Sequence, residues 1–279
     1  MKTLLLEIGT EEIPAGYIAP ALAALESMLA QKLADARLAH GRIQTFGTPR
    51  RLAVTVAELA ARQKRLTSEV LGPPRKVGYD SDGRPTTAAV KFAEKVGLPV
   101  NRLGVASTPK GEYLSATVTD PGLATTALLK TLLPDIILAI PFPKRMRWAD
   151  LTISFARPIH SLLALYGGSR IGFTLGGIRS GRTSFGHRFM HPRQIKVAEP
   201  AAYVEALRSG FVIVDPAERR RLIAEGAAQA AASVGGCVLP DEELLGTVSQ
   251  LVEYPAVAVG RHAGRGGAPR RPVGHDAYG

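Results

Sequence analysis

The stretch from Pro141 to Arg193 holds the side chains best suited to chemistry. Its bases are Lys144, Arg145, Arg147, Arg157, Arg170, Arg179, Arg182, Arg188 and Arg193, and its one acid is Asp150, a net charge of +8 in 53 residues. Trp148, Phe155, Tyr166, Phe173, Phe185 and Phe189 are interleaved with them. Guanidinium groups grip phosphates in bidentate fashion, and neighbouring rings stack on unpaired bases. The pattern therefore points to a polyanion, with RNA contacts expected at Lys144, Arg145, Arg147, Arg157, Arg179, Arg182 and Arg188. The alternative is that the rings belong to the core and the arginines line a subunit interface.

Catalytic signatures are sparse. No Gly-x-x-x-x-Gly-Lys phosphate loop occurs, and Gly176-Gly177 lacks the spacing of one. His160, His187 and His191 fall within the basic stretch; His187 and His191 have no carboxylate close in sequence and no third ligand, so each of the three reads as a structural histidine and no metal is expected. Ser161 and Ser184 have no nucleophile-elbow context. Glu7, Glu11 and Glu12 could do acid–base work, but acids that favour a helix start are commoner. Cys237 follows two glycines and reads as an inert thiol.

The elements that must position these residues follow from periodicity. Lys2–Ile8 reads as a strand. Ile18, Leu22, Leu25, Leu29 and Leu33 recur at helical spacing up to about Leu38. Arg42–Phe46 and Arg51–Val56 read as strands joined at Gly47-Thr48-Pro49. Gly72–Pro85 reads as a turn-rich loop, Thr86–Val96 as a helix stopped by Gly97, Glu112–Thr119 as a strand and Pro121–Leu133 as a helix. Beyond Pro134, Pro158–Tyr166 is expected to be a short helix, Ile171–Phe173 a strand, and Ala201–Arg208, Pro216–Val234 and Glu242–Leu251 helices. Strands and helices mix without βαβ alternation, which indicates an α+β fold with mostly antiparallel strands. Three regions are expected: 1–140, a basic region 141–261, and a tail 262–279 whose Gly, Pro and Arg content predicts disorder.

Composition bounds the class. The chain has 279 residues, 46% of them hydrophobic, and 35 Lys+Arg against 24 Asp+Glu, for a net +11. Wholesale disorder is excluded, and a polyanionic partner is favoured. One cysteine excludes an internal disulfide and suits a reducing cytoplasm. The longest apolar run, 132–142, is interrupted by Pro134, Asp135 and Pro141 and is too short to span a membrane.

Several phrases are more specific than these patterns: LLLEIGTEEIPAGYI at 4–18, GRIQTFGTPRRLAV at 41–54, IPFPKRMRWAD at 140–150, FARPIHSLLALYG at 155–167, TSFGHRFMHP at 183–192 and LVEYPAVAVGR at 251–261. In this order they closely resemble the beta subunits of bacterial heterotetrameric glycyl-tRNA synthetases. The resemblance implies an α2β2 assembly in which the alpha subunit activates glycine with ATP and magnesium. The beta subunit supplies tRNA binding and is required for aminoacylation. It implies no catalytic residue and no cofactor in this chain, an alpha-subunit partner, tRNA(Gly), and a cytoplasmic location. A free-standing structured-RNA-binding module or a basic interface protein stays open as the alternative. Family members continue into an HD-type helical domain and an anticodon-binding domain. From His262 onward the sequence HAGRGGAPRRPVGHDAYG departs from the family, as a shifted reading frame of a GC-rich gene would.

Overall fold

The computed structural model describes residues 1–149 and 151–260; the expected tail, 262–279, lies outside them. In chain order its elements are β1 (Lys2–Thr10), α1 (Ala15–Asp35), β2 (Ile43–Thr48), β3 (Arg51–Leu59), β4 (Leu66–Pro74), the single turn α2 (Arg75–Gly78), α3 (Thr87–Val96), β5 (Gly104–Thr108), β6 (Gly111–Asp120) and α4 (Thr125–Ala139). They continue with β7 (Ile159–Tyr166), β8 (Ser169–Arg170), β9 (Thr174–Leu175), β10 (Ile178–Arg179), β11 (Thr183–Phe185), β12 (Gln194–Lys196), α5 (Tyr203–Ser209), α6 (Pro216–Ser233) and α7 (Glu242–Ser249). The fold is α+β, and its paired strands are antiparallel.

The central sheet runs β2-β3-β1-β7-β8. Alternation along each strand splits its side chains between two buried layers. Leu4, Leu6 and Ile8 of β1 join Leu52, Val54 and Val56 of β3 under α1 and α4. Leu5, Ala53, Leu163 and Leu165 meet Tyr203 and Leu207 of α5 on the other side. The sheet thus pairs β7 with β1, across residue 140. A separate three-stranded sheet, β4-β6-β5, carries α3 on its own small core of Ala89, Phe92, Leu114 and Ala116.

The expected short helix over Pro158–Tyr166 is instead β7. Both faces of this strand are covered from Leu162 on, so its apolar run LLALY is unbroken, and periodicity cannot tell such a run from a buried helix. The expected strand at Ile171–Phe173 is irregular backbone. Pairing begins one residue later, where Gly176 and Gly177, at φ 55° and 78°, turn β9 back into β10. Two consecutive positive φ values define the hairpin turn that matches strand twist, and glycine reaches them without strain. The helix expected to end at Leu133 begins at Thr125 and runs through Pro134 to Ala139. Proline inside a helix costs about 3 kcal/mol, but Leu133, Ile136 and Ile137 are all buried in the main core and outweigh it. The turn-rich loop expected from Gly72 is preceded by β4, which reaches Pro74. By contrast α3 follows its signals: Thr86 accepts from the Ala88 amide at its start, and Gly97, at φ 68°, ends it.

Candidate nucleic-acid interface and polar cleft

The basic side chains sit on irregular segments braced against the sheet. Lys144, Arg145 and Arg147 follow α4 and are exposed. Their segment is clipped to the core by paired backbone bonds between Met146 and Phe155, 2.8 and 3.1 Å long. Phe155 is fully buried and meets Phe142 edge-on at 4.8 Å. The Arg145 guanidinium donates to the carbonyls of Leu138 and Ser154 at 2.7 and 2.9 Å, which makes it a brace as well as a surface charge. Arg182 likewise donates to the Gly168 carbonyl, 2.8 Å away. Arg179 lies exposed at the end of the β9–β10 hairpin. Arg157 and Arg188 are brought together at Glu12: the first donates to its carbonyl at 3.1 Å, and the second stands 3.6 Å from its carboxylate.

The interleaved rings divide. Phe155, Tyr166, Trp148 and Phe173 belong to the main core or pack against it. Phe185 and Phe189 remain 43% and 81% exposed. Guanidinium and ring meet directly at Arg188, which sits 5.8 Å from the centroid of Phe189.

The expectation that Glu7, Glu11 and Glu12 open a helix is corrected. The first turn of α1 contains no acid. Glu7 lies within β1, on the face of Leu5, and is 2% exposed. It accepts from the hydroxyls of Ser184 and Tyr203, each at 2.7 Å. Arg51 then links Glu7, 3.8 Å away, to Glu253, whose carboxylate it meets at 3.0 Å. The Thr48 hydroxyl donates to Glu253 at 2.6 Å, and Arg51 also donates to Ser184 and to the Phe185 carbonyl. Burial works against the Arg51 charge, but Glu253 and Glu7 outweigh it and hold the guanidinium above its ordinary pKa. Next to Glu253, the buried Arg219 donates to the Ile213 and Ser249 carbonyls, and burial pushes its pKa down to about 10.

Burial first, then the Glu7 carboxylate, push the Tyr203 phenol well above 10. The unfolded phenol ionises near pH ~10, so above that pH only the unfolded state releases this proton and stability falls as pH rises. Tyr203→Phe removes this contribution. At neutral pH it costs about 1.5–3 kcal/mol, the usual worth of a hydrogen bond to a charged group. The deficit shrinks between about pH 9 and 11, as urea titrations of the two chains would show; a constant deficit would contradict the assignment.

Above this network opens a cleft of about 250 Å³, walled by Thr10, Arg50, His160, Ser161, Phe185 and Arg188 and floored by Glu7, Arg51 and Ser184. His160 stands 3.6 Å from Glu11. The pairing of β1 with β7 shifts register between Gly9 and Thr10, re-aiming the strand end at the cleft. Sequence reading missed Arg50, Arg51, Thr10 and Glu253 altogether. Their only local signal is the adjacent arginine pair, because the partners lie more than 130 residues apart. Among the described residues no group of three or more His, Cys, Asp or Glu side chains could hold a metal ion. The His187 ring nitrogen accepts from the amides of Phe189 and Met190, a structural role. No helix among the described residues is long and apolar enough to cross a membrane.

Comparison with known proteins places this geometry in a family. The family model described as glycyl-tRNA synthetase beta subunit matches residues 4–264. The glycine–tRNA ligase beta subunit of Desulfatibacillum aliphaticivorans is 49% identical over 261 residues, covering 94% of this chain and 38% of that protein. That of Syntrophus aciditrophicus is 48% identical over 257 residues, covering 92% and 37%. That of Myxococcus xanthus is 46% identical over 259 residues, covering 93% and 37%. The chain therefore spans well under half the length of these relatives, and across nearly all of its own length it belongs to the glycyl-tRNA synthetase beta subunit family.

Proposed function

We propose that this chain is the N-terminal portion of a glycine–tRNA ligase beta subunit and serves the complex by holding tRNA rather than by chemistry of its own. The observation that carries the reading is the exposed basic surface of 141–193 in a chain of this family. An alpha subunit is the partner that activates glycine with ATP and magnesium, in an α2β2 assembly in the cytoplasm, on tRNA(Gly). Lys144, Arg145, Arg147, Arg157, Arg179, Arg182 and Arg188 contact the RNA, and this chain holds no cofactor. Its contribution is proximity: a held acceptor end turns a bimolecular encounter into an oriented one.

The test combines binding and charging. Lys144→Ala, Arg147→Ala and Arg179→Ala, made together, weaken tRNA binding and lower the slope of log affinity against log salt by about one unit per lost phosphate contact. Glycine charging by the reconstituted alpha–beta complex falls in step. Unchanged tRNA affinity with lost alpha binding would mean that the basic face docks an acidic protein surface, and would overturn the reading.

A further inference from the structure

The cleft beside β1 has unmet donors in its walls. Thr10 is 1% exposed, yet its hydroxyl has no hydrogen-bond partner among the described residues. The same holds for Nη1 of Arg50, which is buried although the side chain as a whole is only partly so. Buried polar atoms are nearly always satisfied, so two orphans carried by residues that line one cavity mark a place for a guest that accepts hydrogen bonds. Two further nitrogen-bearing side chains, His160 and Arg188, line the cleft in loose pairs with carboxylates. His160 lies 3.6 Å from Glu11 and Arg188 lies 3.6 Å from Glu12, too long for hydrogen bonds. Both can turn to an entering anion without breaking a good contact.

The shape of the site narrows the guest. A cavity of about 250 Å³ is small among ligand clefts, which run roughly 300–1,000 Å³, so it takes one compact unit. Phe185 forms part of the wall and is 43% exposed; Phe189, 81% exposed, stands beside Arg188. The site thus offers cations and an accessible aromatic face together. An acidic side chain answers only the cations, whereas a nucleotide with its base unstacked answers both. We infer that this cleft takes a single unstacked nucleotide, its phosphate on Arg50 and Thr10 and its base against Phe185. The inference rests on the RNA-holding role proposed above and places one nucleotide at a site separate from Lys144, Arg147 and Arg179. A nucleotide within an RNA strand and a free mononucleotide share this chemistry.

The test uses the 279-residue chain, a fluorescently labelled single-stranded RNA hexamer, an RNA duplex of the same length, adenosine monophosphate and an acidic hexapeptide. Arg50→Ala weakens hexamer binding about tenfold, the worth of one charge-assisted contact. Thr10→Val weakens it severalfold while leaving Tm unchanged or higher, because it replaces an unpartnered hydroxyl with a methyl group of the same shape. Duplex binding is unaffected by either change. If adenosine monophosphate competes in an Arg50-dependent way, the site accepts the free mononucleotide. If only the hexamer binds in that way, it reads a strand; both results support the cleft. Hexamer and mononucleotide binding indifferent to both substitutions would overturn the proposal, as would Arg50-dependent capture of the peptide in place of RNA. The broader tRNA-binding role fails separately, when the triple substitution of Lys144, Arg147 and Arg179 leaves tRNA affinity intact.

Discussion

Replacing Arg51 with methionine lowers the stability of the chain by about 3–5 kcal/mol, the usual cost of breaking a buried ion pair from one side. Arg51 is 4% exposed and stands between two carboxylates that are themselves buried, Glu7 at 2% and Glu253 at 6%. Methionine keeps much of the length and apolar stem but leaves both carboxylates without their cation. It also strips the Phe185 carbonyl and the Ser184 hydroxyl of a donor. The cluster holds two acids to one base in direct contact, so its tolerance for losing that base is small. Urea titration should show a lower midpoint with an unchanged slope, the signature of lost stability without a changed unfolded state. Glu253→Gln provides the graded control: it removes one charge, retains an oxygen to accept from Thr48, and costs less than Arg51→Met. A loss below about 1 kcal/mol for Arg51→Met would mean that water compensates the carboxylates and that the cluster is not closed to solvent.

Phe155→Ala costs a similar amount, about 3–5 kcal/mol, from lost transfer energy and the cavity left behind. The ring is fully buried in the main core, edge-on to Phe142. Its backbone makes the two bonds to Met146 that hold the basic segment in place. Two readouts are therefore expected together. Global stability falls, and the Met146 amide, which donates to the Phe155 carbonyl, loses protection from hydrogen exchange beyond that global loss. Phe155→Leu keeps most of the volume and is expected to cost well under half as much. If Met146 exchange follows global stability alone, the segment bearing Lys144, Arg145 and Arg147 is held by its own contacts rather than by Phe155.

Much was legible without coordinates where the determinants are local. The helical spacing of Ile18, Leu22, Leu25, Leu29 and Leu33 marks the buried face of α1, and each of these residues is buried there. Thr86 and Gly97 bracket α3 because a cap and a left-handed stop act through their own backbone neighbours. The excess of arginine over acid in 141–193 is likewise a property of composition, and the ordered phrases from 4 to 261 carry the family. Local pattern misled where burial is on two sides. β7 has no polar face to betray its period, and Pro134 breaks a helix only when the core does not reward its continuation. Nothing local distinguishes Glu7 from Glu11 and Glu12, yet β-strand alternation turns the first inward to Ser184 and Tyr203 while the others reach solvent beside His160 and Arg188. Arg50, in the turn before β3, and Arg51, the first residue of β3, are neighbours with different partners. Arg51 meets acids contributed from positions 7 and 253, and Arg50 lines an open cleft. Residue types and short-range spacing decided the helices, the charge and the kinship; which charges became buried, paired or left facing a cavity was decided only when distant strands closed into one sheet, because desolvation and pairing depend on neighbours that the chain supplies from far away.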